Sequence, residues 1–208
     1  MLHYETIDAG TLELLKNLLS INLFQQLRLV GGTSLALQIG HRKSIDLDLF
    51  GEIDVDVLEI NNALAQIAQP TQLNNSKNIH IYLINGIKVD IVNYTYPWLE
   101  DVIYKDGLRL ASNLDVAAMK LSAITGRGSK KDFIDLYFLL KQQSLSQMLD
   151  LYLRKFNDGS LFLVLKSLVY FDDADVEEMP NMLIPIKWKM VKATIVAAHG
   201  DYIRGLKS

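Results

Sequence analysis

The first half of the chain alternates apolar and polar residues over short stretches, which is the pattern of β-strands. Residues 45–50 set Asp46 and Asp48 between three apolar residues, so both carboxylates are expected on one face of a strand. Residues 27–30 are a short apolar run that two glycines stop, which predicts a buried strand. The pattern therefore predicts a sheet that carries two acids on one face.

A tight hairpin is predicted further along the chain. Residues 79–84 and 87–92 both have strand character and flank Asn85-Gly86, the strongest short signal for a two-residue turn. These two strands should be antiparallel neighbours. The second of them carries Asp90 between apolar residues.

Apolar residues at helical spacing, with polar residues before them, predict the helices. One predicted helix begins at Asp132. The other predicted helices cover residues 11–19, 34–39, 54–69, 113–125, 145–156, 161–170 and 186–203. Thr33 or Ser34 is expected to cap the second helix, which Gly40 ends. Residues 171–178 are acidic and are followed by prolines, so a surface loop is expected there.

The pattern becomes almost wholly helical in the second half of the chain. We therefore expect an α+β protein with a small mixed or antiparallel sheet and its helices over residues 1–112. A C-terminal helical bundle over residues 113–208 is expected to pack against that core.

Composition narrows the class of protein. The 208 residues are 50% hydrophobic, enough to fill one core, and the absence of cysteine excludes disulfides, thiolate metal sites and a cysteine nucleophile. The N-terminus lacks the features of a signal peptide, and no apolar run reaches the ~20 residues that span a bilayer, so we expect a cytoplasmic protein without membrane contact. The net charge of −3 means that any contact with RNA depends on a local basic patch.

The acids and the glycine pair suggest a site for a metal and a triphosphate. Asp46 and Asp48 project side by side and could hold Mg²⁺, which prefers carboxylate oxygens. Two-metal sites place a second ion about 3.5–4 Å away, and Asp90 is the obvious ligand for it. Asp90 could also help to deprotonate an attacking hydroxyl group.

The phosphates would bind where the helix after the glycines begins. Gly31 and Gly32 allow the backbone to approach a phosphate, and the helix start offers free N–H groups beside the hydroxyls of Thr33 and Ser34. Arg42 could meet the γ-phosphate, although a surface turn explains it equally well.

Each of these features also has an ordinary structural explanation. A glycine pair after a strand is more often a turn than a phosphate site, and alternating acids are usually the solvated face of an edge strand. Aspartate is disfavoured in strands, however, so two on one strand need some compensation. Asp46, Asp48 and Asp90 together favour the catalytic interpretation.

Candidate residues in the helical half are less distinctive. Lys120 lies on a helix whose neighbouring residues are apolar, where a lysine often packs its stem and extends its charge to solvent. Lys131 lies in a glycine-broken basic segment that could bind a triphosphate or RNA, or could be solvated charge. Asp132 suits the first turn of a helix, where the helix dipole favours an acid.

These residues together resemble a known family. The glycine pair, the pair Asp46 and Asp48, and the later Asp90 resemble the polymerase-β-type nucleotidyltransferase superfamily. More narrowly, residues 31–37 and 40–50 resemble the AbiEii/AbiGii-type toxins within it. Lys120 and residues 131–137 also match that branch, so the resemblance covers most of the chain.

The resemblance implies a Mg²⁺-dependent transfer of a nucleoside monophosphate from an NTP to tRNA or protein. It implies that the chain is the toxin of a toxin–antitoxin system, with a cognate antitoxin as partner. It also favours functional roles for Lys120 and Asp132, with Lys120 stabilising charge on the phosphorus or the leaving pyrophosphate.

Two other interpretations stay open from the sequence. The chain could be a non-catalytic member of the fold that binds a partner protein, although it keeps all three acids. It could also be a nucleotidyltransferase that acts on a small molecule such as an aminoglycoside.

Overall fold

The structure is a computed structural model that describes residues 1–206. The chain divides into two compact units. The first, the sheet unit, comprises Met1–Tyr96 and Asp101–Ser112, and the second, the helical unit, comprises Pro97–Glu100 and the chain from Asn113 onward.

The sheet unit contains three α-helices, two short 3-10 helices (Tyr4–Thr6 and Asn22–Phe24) and seven strands. The α-helices are α1 (Ala9–Ser20), α2 (Gly31–Ile39) and α3 (Val57–Ala65), and the strands are β1 (Arg28–Leu29), β2 (Leu47–Gly51), β3 (Thr71–Asn75), β4 (Ile79–Ile84), β5 (Ile87–Asn93), β6 (Ile103–Lys105) and β7 (Leu108–Leu110). The strands form one mixed sheet in the order β3-β4-β5-β2-β1-β7-β6. Two neighbouring pairs, β2–β5 and β1–β7, are parallel, and the other pairs are antiparallel.

One face of the sheet covers the hydrophobic core. Leu47 and Leu49 of β2 and Val89 and Ile91 of β5 are fully buried in a cluster that also includes residues of α1 and α3. The residues between them face the other way and are partly exposed. Strand alternation therefore separates an apolar face from the face that carries the acids.

The predicted hairpin is confirmed. Strands β4 and β5 are antiparallel, and Asn85 and Gly86 between them have φ angles of 52° and 79°. Positive φ at both turn residues is the geometry for which Asn-Gly is favoured.

Helix α2 begins earlier than the sequence pattern predicts. The expected cap at Thr33 or Ser34 is wrong, because the helix starts at Gly31 and the capping position is Val30, whose side chain makes no cap hydrogen bond. Gly31 turns the chain from strand to helix with φ of 67°. Gly40 ends the helix in the left-handed conformation, as expected.

Other differences concern short or polar elements. The sequence pattern does not predict strands β3, β6 and β7. Helix α3 is shorter than the predicted helix over residues 54–69, because it begins after a capping box formed by Asp56 and Glu59 and ends at Ala65. Strand β2 begins at Leu47, so Asp46 lies one residue before it.

The residues of the helical unit that the structure describes form six α-helices. They are α4 (Asn113–Gly126), α5 (Lys130–Leu139), α6 (Leu145–Lys155), α7 (Leu161–Ser167), α8 (Asp172–Asp175) and α9 (Trp188–Gly205). Helix α4 packs against α5, α6 and α7, and α9 packs against α5 and α6. Residues 171–178, where a surface loop is expected, contain the short helix α8. Helix α5 begins at Lys130, two residues before the predicted start at Asp132.

A buried ion pair ties this unit together. The Lys155 ammonium group of α6 donates to Asp115 of α4 at 2.7 Å and to the carbonyl oxygen of Pro97 at 2.9 Å, and both charged side chains are fully buried. Asp115 also accepts a hydrogen bond from the backbone N–H of Leu99 at 2.9 Å. The pair thus joins two helices and the segment that precedes them.

The fold class predicted from the sequence is confirmed. The chain combines a mixed sheet and its helices with a C-terminal set of helices. Within residues 1–206, no helix is both long and apolar enough to cross a membrane.

Candidate active site

Two of the predicted acids are neighbours on the sheet. Strands β2 and β5 run parallel, and Asp48 pairs in register with Asp90. Adjacent strands lie about 4.8 Å apart, so paired residues project side by side from the same face. Both side chains are only partly buried, on the face opposite the core.

Asp46 is held at the entry to β2 through its backbone. The hydroxyl of Thr33 in α2 donates to the carbonyl oxygen of Asp46 and lies 2.8 Å from the hydroxyl of Ser44. Thr33 is almost fully buried, so its side chain fixes the segment that leads into the strand. Asp46 itself is partly exposed.

The first turn of α2 lies against Asp48. The backbone N–H of Val30 donates to the carbonyl oxygen of Asp48 at 2.9 Å. A Cβ atom at Gly31 would collide with the Asp48 carboxylate, so only glycine fits this approach. The N-terminal end of a helix carries partial positive charge, which favours the carboxylate and would also favour a phosphate.

A lysine that the sequence interpretation missed contacts the third acid. The Lys88 ammonium group lies 2.5 and 2.6 Å from the two carboxylate oxygens of Asp90. Lys88 and Asp90 are two residues apart on β5, so strand alternation puts them on one face. That alternation could have revealed the pair from sequence.

Other predicted ligand residues of the sheet unit have buried side chains. Ser34 is fully buried, and its hydroxyl accepts a hydrogen bond from Gln38 at 3.1 Å. Arg42 is 3% exposed and donates to the carbonyl oxygen of Lys43 at 3.0 Å. Gly32 lies in the first turn of α2, after Gly31.

The helical unit holds a second charged cluster. The buried Lys120 ammonium group lies 2.8 Å from Asp132 and 2.6 Å from Asp135. Arg127 donates to Asp132 from Nε at 2.8 Å and from Nη2 at 3.1 Å, and the hydroxyl of Ser129 donates at 2.7 Å. Both aspartates are fully buried, whereas 61% of the Arg127 side chain is exposed. The cluster therefore presents one guanidinium group to solvent.

The charge of this cluster sets the protonation of Asp132. Burial alone would raise the pKa of the Asp132 carboxyl, but the positive charge of Lys120 and the hydrogen bond and charge of Arg127 outweigh it. The pKa is consequently held well below its usual range, so Asp132 is ionised at neutral pH.

The basic residues beside this cluster differ in their surroundings. Lys130 is buried: its backbone N–H donates to the Glu177 carboxylate at 2.7 Å, and its ammonium group donates to the Glu177 carbonyl oxygen. Lys131, the predicted ligand, is partly exposed in the first turn of α5.

The carboxylates on the sheet could supply some, but not all, of the ligands of a divalent ion. Across residues 1–206, no group of three or more histidine, aspartate or glutamate side chains could by itself hold a metal ion. Mg²⁺, however, is usually bound by one or two carboxylates together with waters and substrate phosphates. Asp46 and Asp48 beside a helix N-terminus fit an ion that a substrate helps to hold.

Solved structures of other proteins share the fold of this chain. A candidate nucleotidyltransferase from H. pylori has a TM-score of 0.63 and 17% identity, over 95% of this chain and 94% of that one. MenT4, a nucleotidyltransferase toxin from Mycobacterium tuberculosis H37Rv, has a TM-score of 0.60 and 15% identity, over 96% of this chain and 85% of that one. The chain therefore has the nucleotidyltransferase fold.

Sequence comparison gives the family. The model of the family described as nucleotidyl transferase AbiEii toxin, type IV toxin–antitoxin system, matches residues 13–204. An uncharacterized protein of Aquifex aeolicus (strain VF5) is 36% identical over 171 residues, which are 79% of this chain and 83% of that protein. The protein belongs to the AbiEii family of nucleotidyltransferase toxins, as the motifs predicted.

Proposed function

We propose that the protein transfers a nucleoside monophosphate from an NTP to a hydroxyl group of a macromolecule, either tRNA or protein. One observation carries the proposal. Asp48 and Asp90 lie in register on adjacent parallel strands, and the start of α2 lies against Asp48. Carboxylates beside a helix N-terminus bring together the groups that a metal and a triphosphate need.

The acids of β2 would hold the metal. Asp46 and Asp48 are the proposed ligands of Mg²⁺, which when bound would neutralise negative charge on the phosphates. Asp90 is the acid that the sequence assigns to a second ion, but Lys88 already contacts both of its carboxylate oxygens.

The reaction itself would proceed by displacement at the α-phosphorus. The acceptor hydroxyl oxygen forms a bond to the α-phosphorus while the bond from that phosphorus to the bridging oxygen breaks, and pyrophosphate leaves. The hydroxyl proton passes to the carboxylate of Asp90. Asp90 is partly exposed on the sheet, which allows an acceptor to reach it.

The phosphates would bind the backbone at the start of α2. The N–H groups of Gly31, Gly32 and Thr33 are in the first turn, where an α-helix offers no internal partner for them. The buried side chains of Thr33 and Ser34 would position this turn, and that of Arg42 would shape the segment before Asp46.

In the helical unit, we assign anion binding to Arg127, the exposed member of its cluster. Asp132 and Lys120 would hold the guanidinium group in place through the ion pairs described above. Lys131, partly exposed near the start of α5, would add positive charge for phosphate or RNA.

Membership of the family supports a proposal for the partner and the biological role. Because the family is one of toxin–antitoxin systems, we propose that a cognate antitoxin controls this protein. Its toxicity would come from modifying the acceptor.

Transfer of label tests the function directly. The purified protein is incubated with each α-³²P-labelled NTP, Mg²⁺ and total tRNA or total cell protein. We expect label on one class of acceptor, and a loss of more than about 100-fold in Asp48→Asn, because one charge-stabilising contact is commonly worth that much. Asp54→Asn, which changes an exposed acid between β2 and α3, should keep the activity.

The same assay separates the alternatives. Label on small hydroxylated compounds, and on no macromolecule, would replace the proposed acceptor by a small molecule. Full activity in a folded Asp48→Asn protein, or no transfer with any NTP, would contradict the proposed site.

A further inference from the structure

The ion pair between Lys88 and Asp90 lies within the proposed site. The Lys88 ammonium group contacts both carboxylate oxygens of Asp90, at 2.5 and 2.6 Å. A metal ion that used Asp90 would need those same oxygens. The Lys88 side chain is 42% exposed and that of Asp90 18% exposed, so the pair lies at the surface of the acid face.

The contact between Lys88 and Asp90 offsets negative charge on the acid face of the sheet. Asp48 and Asp90 project side by side from neighbouring strands, and like charges directly opposite each other in a sheet repel. A two-metal site would relieve that repulsion with a second divalent ion. Here a lysine supplies positive charge at the same acid, and the described residues contain no group of three acids that could hold a metal.

We propose that Lys88 is the second cation of the active site: its ammonium group occupies the position at Asp90 that a second divalent ion would take. The protein would then work with about one divalent ion per chain instead of about two. This inference rests on the proposed nucleotidyl transfer and specifies its metal requirement.

Lysine suits such a role. Its ammonium group is a compact charge with three donors on a flexible stem, so it can keep the Asp90 carboxylate oriented before substrate binds. It carries a single charge, which leaves the stronger charge neutralisation to the ion at Asp46 and Asp48. Lys88 is thus a positioning residue for Asp90.

Manganese binding tests the proposal without measuring activity. Mn²⁺ replaces Mg²⁺, a mixture of the four α,β-methylene nucleoside triphosphates replaces the substrate, and bound Mn²⁺ is counted by equilibrium dialysis. Two Mn²⁺ ions about 4 Å apart give a spin-coupled electron paramagnetic resonance spectrum, whereas a single ion gives an isolated six-line spectrum. The wild-type protein should bind about one ion per chain with an uncoupled spectrum.

Variants locate the second ion. Lys88→Ala should bind about two ions and give the coupled spectrum, because the Asp90 oxygens become available. Lys88→Ala combined with Asp90→Asn should return to about one ion, and Lys88→Arg, which keeps the charge, should resemble the wild type. Lys105→Ala, which removes an exposed lysine of β6, is the matched control and should also resemble the wild type.

The outcomes distinguish failure of the role proposed for Lys88 from failure of the proposed nucleotidyl transfer. A spin-coupled pair in the wild-type protein would overturn the role of Lys88 and leave nucleotidyl transfer intact. An uncoupled spectrum in folded Lys88→Ala, with about one ion bound, would also overturn it. No bound Mn²⁺ in the wild type, together with no label transfer, would overturn both proposals.

Discussion

At the scale of single residues, Gly31 is the most constrained position of the site. It combines φ of 67° with a backbone that leaves no space for a Cβ atom beside the Asp48 carboxylate. Two separate costs therefore attach to any side chain here. One is backbone strain, and the other is displacement of a proposed metal ligand.

Gly31→Ala should lower both stability and activity. We expect unfolding in urea to show a loss of about 2–4 kcal/mol, the sum of left-handed backbone strain and a steric clash, and label transfer to fall at least about 10-fold. Gly86→Ala is the matched control, because Gly86 has φ of 79° but nothing within 4 Å of the added Cβ. It should lose about 1 kcal/mol and keep its activity. Equal effects of the two substitutions would show that the contact with Asp48 is unimportant.

Asp132 makes stability depend on pH. Its pKa is lowered in the folded protein by Lys120 and Arg127 against the opposing effect of burial. A lowered pKa stabilises the folded state when the carboxyl is ionised. The contribution is therefore complete above the unfolded pKa of about 4, and it is lost as the pH falls below that value toward the folded pKa.

Stability curves between pH 2 and pH 7 measure this contribution. At pH 7, Asp132→Asn should be less stable than the wild type by about 1.5–3 kcal/mol, because the charged hydrogen bonds to Asp132 are weakened while Lys120 keeps its ion pair with Asp135. The difference should shrink as the pH falls below about 4. Asp150→Asn, at an exposed position of α6, controls for the loss of one acid and should show little change. A difference that is constant with pH would exclude ionised Asp132 as its source.

At the scale of elements, the Asp115–Lys155 pair joins helices α4 and α6. Lys155→Met should cost about 3–5 kcal/mol in urea unfolding, because it leaves a buried carboxylate without its cation. The double variant Asp115→Leu/Lys155→Met removes both charges and should recover part of that loss. Arg154→Met, the exposed neighbour on the same helix, is the control and should stay within about 0.5 kcal/mol of the wild type. A single variant as stable as the wild type would mean that the ion pair is energetically neutral.

Elements with strong patterns were predictable, and short or polar ones were not. The β4–β5 hairpin has alternating apolar residues on both sides of Asn85-Gly86, and it was found. Asp106-Gly107 has the same left-handed turn geometry, with φ of 52° and 79°, but its flanking strands have three residues each, too few to show alternation. Strand β3 is exposed throughout, and all of its residues except Leu73 are polar, so no alternation of apolar and polar residues marks it.

The sequence predicted part of the candidate site, namely the residues that a local pattern indicates. Spacing predicted that Asp46 and Asp48 share a face, because acids two apart on a strand do so. The pairing of Asp48 with Asp90 depends on the order of the strands in the sheet, which spacing does not show. The burial of Ser34 and Arg42 depends on how α2 and the segment after it pack, which no local pattern records. The contact between Lys88 and Asp90 was within reach of the same alternation rule that found the acids.

At the scale of the whole molecule, the toxicity proposed for this chain could require nucleotidyl transfer or only binding. Membership of the AbiEii family predicts that expression of the protein in a bacterium without its antitoxin arrests growth. Asp48→Asn tests the cause, because Asn has nearly the shape of Asp, and the hydrogen bond from Val30 uses the backbone of residue 48. The variant should therefore fold.

Growth should continue in cells that express Asp48→Asn and stop in cells that express Asp54→Asn at the same level, as judged by colony counts and immunoblotting. The reason is that the first substitution removes a proposed metal ligand, whereas the second changes an exposed acid outside the site. If Asp48→Asn arrests growth as strongly as the wild type, the arrest comes from a binding interaction and the catalytic explanation is wrong. Purified Asp48→Asn with a wild-type circular dichroism spectrum and melting temperature excludes misfolding as the reason for restored growth.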